Sequence, residues 1–414
     1  MLGINVLVVG SGGREHAIAW KILQSDYLGE LFVAPGNGAT SAYNVPINAD
    51  DVEGLCEFAR KNSCFTIVGP EAPLALGIVD RFRKEGLRIF GPTKAQAKLE
   101  TSKTYAKEFM IANGIPTAKF AVFVDVHPAI DFAKSMSGKV AVKADGLAAG
   151  KGVFVCGSEE EAERAIKTIL EVRAFGEAGR KIVVEERLDG DECSLMTICN
   201  GKTAMPFGTA RDHKRVFDGD KGPNTGGMGA YSPSPDLDQE EIRDAVSKIT
   251  GAAVHSLGYH GFLYLGLMIT DEGPKLLEFN ARLGDPETQV ILPRLESDLL
   301  SVLDGTESGN DVDIRWSKNH CATVVMCSEG YPQKPKTSDR ISGIDAASKI
   351  KGTTIFHSGT VKNGEQYFTS GGRVLSVTGV GKTLDIALER TYVAVSSIAW
   401  RGEHHRTDIG RACR

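Results

Sequence analysis

The sequence predicts a multidomain chain of mixed α/β and α+β class that opens on a doubly wound parallel sheet. Three observations carry that prediction. Up to about residue 100, short Val- and Ile-rich runs at 4–10, 30–36, 65–71 and 87–93 alternate with helix-length amphipathic stretches, the pattern of repeated strand–helix–strand units. Beyond 117, strand-like runs follow one another with few helices between them. Finally, 414 residues exceed one ordinary domain of roughly 100–200 residues.

The four N-terminal runs, INVLVVG, ELFVAPG, FTIVGPE and LRIFGPT, each reach a Gly or Pro-Gly. Ligands of open α/β sheets bind at such carboxyl ends. From 117, AKFAVFVD, VAVKADG, GVFVCGS and KIVVEERL read as strands, with helices near 128–137 and 158–171 and a Gly-rich hairpin joining the second strand to the third. From 189 to 300 strands recur between polar loops, notably FLYLGLMIT and PKLLEFNAR, and a helix follows. A last segment starts at CATVVMCSEGYP and runs through Gly-punctuated strands to a helix near 382–398. The expected domains are 1–117, 118–188, 189–320 and 321–414.

Composition excludes several function classes. Hydrophobic residues make up 42%, charged residues 24%, and the net charge is −5 with no basic block, so nucleic acid is not the expected partner. No apolar run approaches the roughly 18 residues of a membrane span, and the N-terminus lacks the basic stretch of a signal peptide. Eight cysteines, at 56, 64, 156, 193, 199, 321, 327 and 413, include no C-x-x-C pair. They read as reduced, buried residues of a cytoplasmic protein rather than as a disulfide framework or a zinc site.

Glycine-rich turns supply the first functional candidates. Gly10-Ser11-Gly12-Gly13 ends the first strand and opens a helix, a context suited to phosphate. A dinucleotide fingerprint would place its third glycine at Glu15 and an acidic residue near Ala34-Pro35-Gly36-Asn37, and both are missing. A phosphate site without dinucleotide fits better, with a ligand-free turn and a nicotinamide site as the alternatives. Gly146-Leu147-Ala148-Ala149-Gly150-Lys151-Gly152 is no P-loop: one residue is missing between its outer glycines and no Ser or Thr follows Lys151. Lys143 and Lys151 bracketing a flexible hairpin can instead neutralise phosphate oxygens. Acidic residues past 182–188 can accept from a nucleotide's amine or hydroxyls, or simply be a solvated strand end.

Leu277-Glu278-Phe279-Asn280-Ala281-Arg282 is the sharpest signal. On a strand, Glu278, Asn280 and Arg282 share one face, and Leu277, Phe279 and Ala281 the other. Two oxygen ligands beside a guanidinium suit Mg²⁺ on polyphosphate next to an anionic substrate.

Lys103, Lys143 with its hairpin, the 185–188 segment and Glu278-x-Asn280-x-Arg282, in that order, resemble the ATP-grasp superfamily. Within it, GSGGREHA, FVAPGN, TIVGPEAPL, KADGLAAGKGV, DHKR at 212–215, GPNTGGMGAYSP at 222–233, GFLYLGLMI, EFNARLGDPETQ, GGRVL at 371–375 and DIG at 408–410 are similar to the glycinamide ribonucleotide synthetase family over essentially the whole length. The resemblance implies an ATP-grasp core with a small lid subdomain, between the N-terminal sheet and a small C-terminal α+β domain. It implies ligation of glycine to 5-phosphoribosylamine, with ATP giving ADP and phosphate through glycyl phosphate, in purine biosynthesis. It also implies roles. Lys103, Lys143 and Lys151 hold ATP phosphates, Glu185, Glu186 and Leu188 meet adenine, and Glu192 takes the ribose hydroxyls. Glu278 and Asn280 bind Mg²⁺ or Mn²⁺, and Asp212 and Arg282 clamp glycine, with Lys143 completing the catalytic set. Gly12, Gly13, Asn37, Pro70, Glu71, Gly372 and Arg373 receive phosphoribosylamine. The preceding strand, Leu265-Gly266-Leu267-Met268, lacks the second acidic metal ligand often found in the wider superfamily. A monomer or weak homo-oligomer is expected. A related ligase or carboxylase, a nicotinamide oxidoreductase and a non-catalytic nucleotide sensor are the competing readings.

Overall fold

The structure, a computed structural model, describes residues 3–148, 150–234 and 240–411. The N-terminal sheet is parallel, with strands Leu28–Pro35, Ile4–Gly10, Phe65–Val68 and Ile89–Phe90 side by side in that order. Val6, Leu7, Val8 and Val9 are all 0% exposed because helices cover both faces. Val6 and Val8 pack with the helix Gly13–Ile22, whereas Leu7 and Val9 pack with Val52–Lys61 and Ile78–Lys84 on the other side. The doubly wound arrangement read from the sequence is thus present, with a fourth strand of only two residues.

A second, antiparallel sheet orders Phe120–Phe123, Ile182–Glu186, Val140–Ala144 and Val153–Val155. Helices Val126–Ser135 and Glu159–Leu170 pack on it through Ala129, Ala133, Ala162, Ile166 and Ile169. The second helix starts where Ser158 Oγ accepts the Glu161 N–H, and three glutamates occupy its first turn, as the helix dipole favours.

The third sheet has eight strands and runs from Gly273–Asn280 at one edge, through His260–Thr270, Asp191–Asn200, Ala204–Asp212 and Gly229–Ser232, to His320–Cys327, Arg373–Gly381 and Thr353–His357. Gly229–Ser232 hydrogen-bonds directly to His320–Cys327, so the last segment of the chain extends this sheet. Helices Lys98–Thr101 and Lys103–Ala112 pack into the same layer: Leu99, Phe109 and Met110 share a core with Ile242, Leu263 and Phe279. All seven described cysteines are buried; Cys413 lies outside the described residues. No described helix is long and apolar enough to cross a membrane.

Arg83, from the N-terminal unit, and His260 meet Glu307 of the helix Leu299–Glu307, at 3.9 and 3.3 Å. Burial pushes the Glu307 carboxyl up to about 7 against the pull of Arg83. Burial also holds His260 down at about 4. A carboxyl raised in the folded state stabilises at low pH, and that contribution is lost as pH rises through about 7. Glu307→Gln is therefore expected to be more stable than wild type at pH 8.5, by on the order of 2 kcal/mol, with the gap closing towards pH 5. Thermal unfolding at both pH values checks this; equal shifts at the two would contradict it.

Candidate functional site

A cavity of about 1070 Å³ lies where the three sheets meet. Its walls carry Gly12, Pro70 and Glu71 from the ends of the parallel sheet, Lys143 and Glu185 from the antiparallel sheet, and Asp212, Glu278 and Asn280 from the long sheet, with Lys214 and Arg282 two residues beyond the ends of its strands. Gly12, Pro70 and Glu71 sit beyond the carboxyl ends of parallel strands, where such sheets bind ligands.

The first glycine turn is already partly filled. Glu15 accepts the Gly12 N–H at 2.6 Å and pairs with Arg14 at 2.6 Å. A Cβ on Gly10, whose φ is +128°, would lie 2.4 Å from Glu15 Cγ. The residue that replaces the third dinucleotide glycine therefore caps the helix itself, which physically explains why the nicotinamide alternative fails. Gly13 faces away from the cavity: a Cβ there would meet Gln289 Nε2 at 2.5 Å and Ser358 Oγ at 2.7 Å. Asn37 spends its amide on Ser11 O and His357 O, at 2.9 and 2.8 Å. It lines a neighbouring cleft of about 630 Å³, together with Gly12, Lys362 and Arg373. Gly372 packs flat against Tyr331 and lines neither space. Arg373 reaches both spaces, donating to Gly226 O and Asp285 O and pairing with Asp285 at 3.3 Å.

Glu185 lines the cavity, and its carboxylate is buried between Lys143 and Lys107, 2.5 Å from the latter. Burial pushes this carboxyl up, but Lys143 and Lys107 outweigh it and keep it ionised. Burial lowers the Lys107 ammonium to about 8 despite Glu185. Lys107 was not singled out in the sequence, although it lies one helical turn beyond Lys103. Glu186 accepts the Lys119 N–H at 3.0 Å, and both Glu186 and Leu188 line the cavity. Lys151 is exposed and is not among the cavity-lining residues, so the structure does not bring it to the lysine cluster.

Lys103 Nζ lies 2.9 Å from Glu278 Oε2, and Lys214 Nζ lies 2.6 Å from Glu192 Oε2. Lys214, part of the DHKR segment, is a further cavity cation that residue-by-residue reading passed over. Burial pushes the Glu278 carboxyl up, yet Lys103, Lys214 and Lys143 together hold it well below the usual carboxylate range. The strand bearing it departs from simple alternation. The ladder is irregular between Gly266↔Glu278 and Leu267↔Leu276, as at a β-bulge. Leu276 takes the fully buried place, and Leu277 joins Glu278 and Asn280 at the cavity.

An ionised carboxylate and an amide oxygen in one wall fit a divalent cation that takes its remaining ligands from phosphate and water. No described group of three or more His, Cys, Asp or Glu could hold a metal without such help.

Arg282 is clamped by Glu100 at 2.8 Å and by Glu71 at 3.3 Å. Glu100, only 4% exposed, also accepts the Ala281 N–H at 2.7 Å; nothing local in the sequence marks it. Asp212 Oδ1 is buried with no hydrogen-bond partner. Burial, and then the nearby Glu287, raise its carboxyl well above the ordinary value. Glu287 is 3% exposed and is fixed by Ser194 Oγ at 3.2 Å. The buried Glu287 and the half-buried Asp212 both line the cavity, and such a pair of carboxylates calls for a cation. No cysteine or histidine is among the described residues lining the cavity.

Three family models match the chain: Phosphoribosylglycinamide synthetase N domain over 4–100, its ATP-grasp (A) domain over 101–288 and its C domain over 321–412. The chain is 46% identical to the phosphoribosylamine–glycine ligase of Vibrio vulnificus and 47% identical to that of Allochromatium vinosum, covering 98% of each chain in both comparisons. It is also similar to the crystal structure of the Thermotoga maritima phosphoribosylamine–glycine ligase, with a TM-score of 0.83 and 34% identity over 98% of this chain and 100% of that one.

Proposed function

This chain belongs to the phosphoribosylglycinamide synthetase family of ATP-grasp enzymes and ligates glycine to 5-phosphoribosylamine in an ATP-dependent step of purine biosynthesis; from that premise we propose how its residues divide the work. The observation that carries the reading is the convergence, in one cavity, of Lys103, Lys143 and Lys214, the Glu278–Asn280 pair, the clamped Arg282, and Asp212, whose Oδ1 has no hydrogen-bond partner. Such a site offers positioning and charge neutralisation, which is most of what phosphoryl transfer requires.

Lys103, Lys143 and Lys214 neutralise the ATP phosphates, with Glu185 and Lys107 setting the direction of Lys143. The stretch from Glu186 to Leu188 borders adenine, and Glu192 is placed for the ribose hydroxyls. Glu278 and Asn280 hold Mg²⁺, or Mn²⁺, which when bound offsets charge on the transferring phosphoryl group. Asp212, with Glu287, receives the glycine ammonium, while Arg282 steers the carboxylate towards the γ-phosphate. A carboxylate oxygen of glycine bonds to that phosphorus as the bond to ADP breaks, giving glycyl phosphate. The amine of phosphoribosylamine, entering past Gly12, Pro70, Glu71 and Arg373, then bonds to the carbonyl carbon. Phosphate leaves, and the amine's proton passes to solvent. Among the residues expected at this entry, Gly13, Asn37 and Gly372 act as packing and loop-fixing residues. The cytoplasm is the compartment this chemistry fits.

ADP release with glycine and phosphoribosylamine made in situ tests the reading. Alanine is expected to be poorer by roughly tenfold or more, because one added methyl in a tight site is worth about 1–3 kcal/mol. Asp212→Asn should raise the KM for glycine roughly ten- to a hundredfold, as a charged hydrogen bond is worth about 1.5–3 kcal/mol. An unchanged glycine KM, or alanine serving as well as glycine, would place the ammonium site elsewhere.

A further inference from the structure

The DIG segment at 408–410 has no part in the chemistry above, yet it closes around the loop that carries much of the site. Arg406 is 0% exposed. Its guanidinium makes two bonds to Asp408, at 2.7 and 2.8 Å, one to Asp220 at 2.7 Å and one to Arg215 O at 3.1 Å. Thr407 binds Asp218 through its N–H and its hydroxyl, and Asp408 also accepts the Gly219 N–H at 2.8 Å. His404 Nε2 lies 2.8 Å from Val216 O, and the Gly410 N–H points to His213 Nε2 at 3.4 Å. Apart from Asp408 itself, every one of these partners belongs to residues 213–220.

That stretch forms a two-stranded hairpin, Arg215–Phe217 with Lys221–Asn224, mostly exposed and irregular in register. A lone hairpin of this size is marginal in water. Its base, however, delivers Lys214 and Thr225 to the cavity immediately after Asp212, and Thr225 is tied to Lys214 O through both its N–H and its hydroxyl. Asp212 is held by its pairing with Ala230 in the long sheet, and the His213 N–H and C=O bond to Gly229 and Met228, so the outside brace bears on what lies beyond them, the hairpin and Lys214 at its base. Tyr392, on the helix Leu384–Val395, anchors the brace in turn: its hydroxyl donates to Arg406 O and accepts the Ile409 N–H, at 3.2 and 3.0 Å.

We propose that Arg406 is a positioning residue for the ligase reaction, fixing the 213–224 hairpin through Asp220 and Asp408 and so setting the place of Lys214 beside Asp212 without touching any substrate. The inference rests on the roles given above to Asp212 and Lys214.

Asp220→Asn and Arg406→Lys test it. Asp220 sits at the exposed hairpin tip with φ +52°, a conformation that Asn also tolerates, so the first variant keeps the backbone even where the second loses stability. Both are expected to raise the glycine KM and lower kcat, together by roughly ten- to a hundredfold in kcat/KM, as small misplacements of reacting groups do. The ATP KM should rise as well, because the same hairpin carries Lys214. The double variant should be no worse than the poorer single one, because both act through one contact. Wild-type kinetic constants in Asp220→Asn, or a fall in kcat with both KM values unchanged, as partial unfolding gives, would overturn the proposal. A wild type that releases no ADP with glycine and phosphoribosylamine would instead overturn the functional reading beneath it.

Discussion

Glu278→Gln is expected to lower kcat by roughly two orders of magnitude or more, because removing a charged ligand from a phosphoryl-transfer site forfeits several kcal/mol of transition-state stabilisation. Gln preserves the shape of the side chain and can still accept from Lys103, which lies 2.9 Å away in the native pair. The fold should survive, since the neighbouring strand positions Leu276 and Phe279 remain in their core. What is lost is a carboxylate that three lysines hold ionised against burial. Steady-state kinetics at saturating Mg²⁺, with circular dichroism as the check on folding, decides it. Near-normal turnover in a folded variant would remove Glu278 from the site.

Arg282→Lys is the second large effect. Arg282 meets Glu100 and Glu71 at once, at 2.8 and 3.3 Å, and a planar fork can do so while still presenting an N–H edge to a carboxylate. A lysine ammonium is a point charge that can satisfy one of the two. Glu100, almost fully buried, would keep it, and the link to Glu71 on the phosphoribosylamine side would be broken. Both kcat and the glycine KM should worsen, by roughly ten- to a hundredfold in kcat/KM, whereas the ATP KM stays near wild type because Lys103, Lys143 and Lys214 are untouched. A rise confined to the ATP KM would contradict the assignment.

The parallel sheet was legible because strands buried on both faces read as continuous apolar runs, and INVLVVG is such a run. The hairpin after Lys143 was legible from its glycines. The polar pair Glu278 and Asn280 was legible from strand alternation, although a bulge moved Leu277 to the cavity side and the strand ends before Arg282, which reaches the cavity from the turn beyond. Residues that act through distant partners were not legible. Lys107 against Glu185, Glu100 against Arg282 and Arg406 against Asp220 are separated by 78, 182 and 186 positions, and no local pattern encodes such pairings. Sheet continuity past 320 was not legible for the same reason: Gly229–Ser232 and its partner His320–Cys327 each look like an ordinary short strand.

The most direct test of the chemistry is oxygen transfer. With glycine labelled by ¹⁸O in both carboxylate oxygens, attack on the γ-phosphate followed by amine displacement leaves one labelled oxygen in the phosphate released and one in the new amide. Mass analysis of the products of a single turnover, with phosphoribosylamine and ATP present, should find one ¹⁸O per phosphate. Phosphate free of label, alongside labelled amide product, would contradict ligation through glycyl phosphate in this cavity.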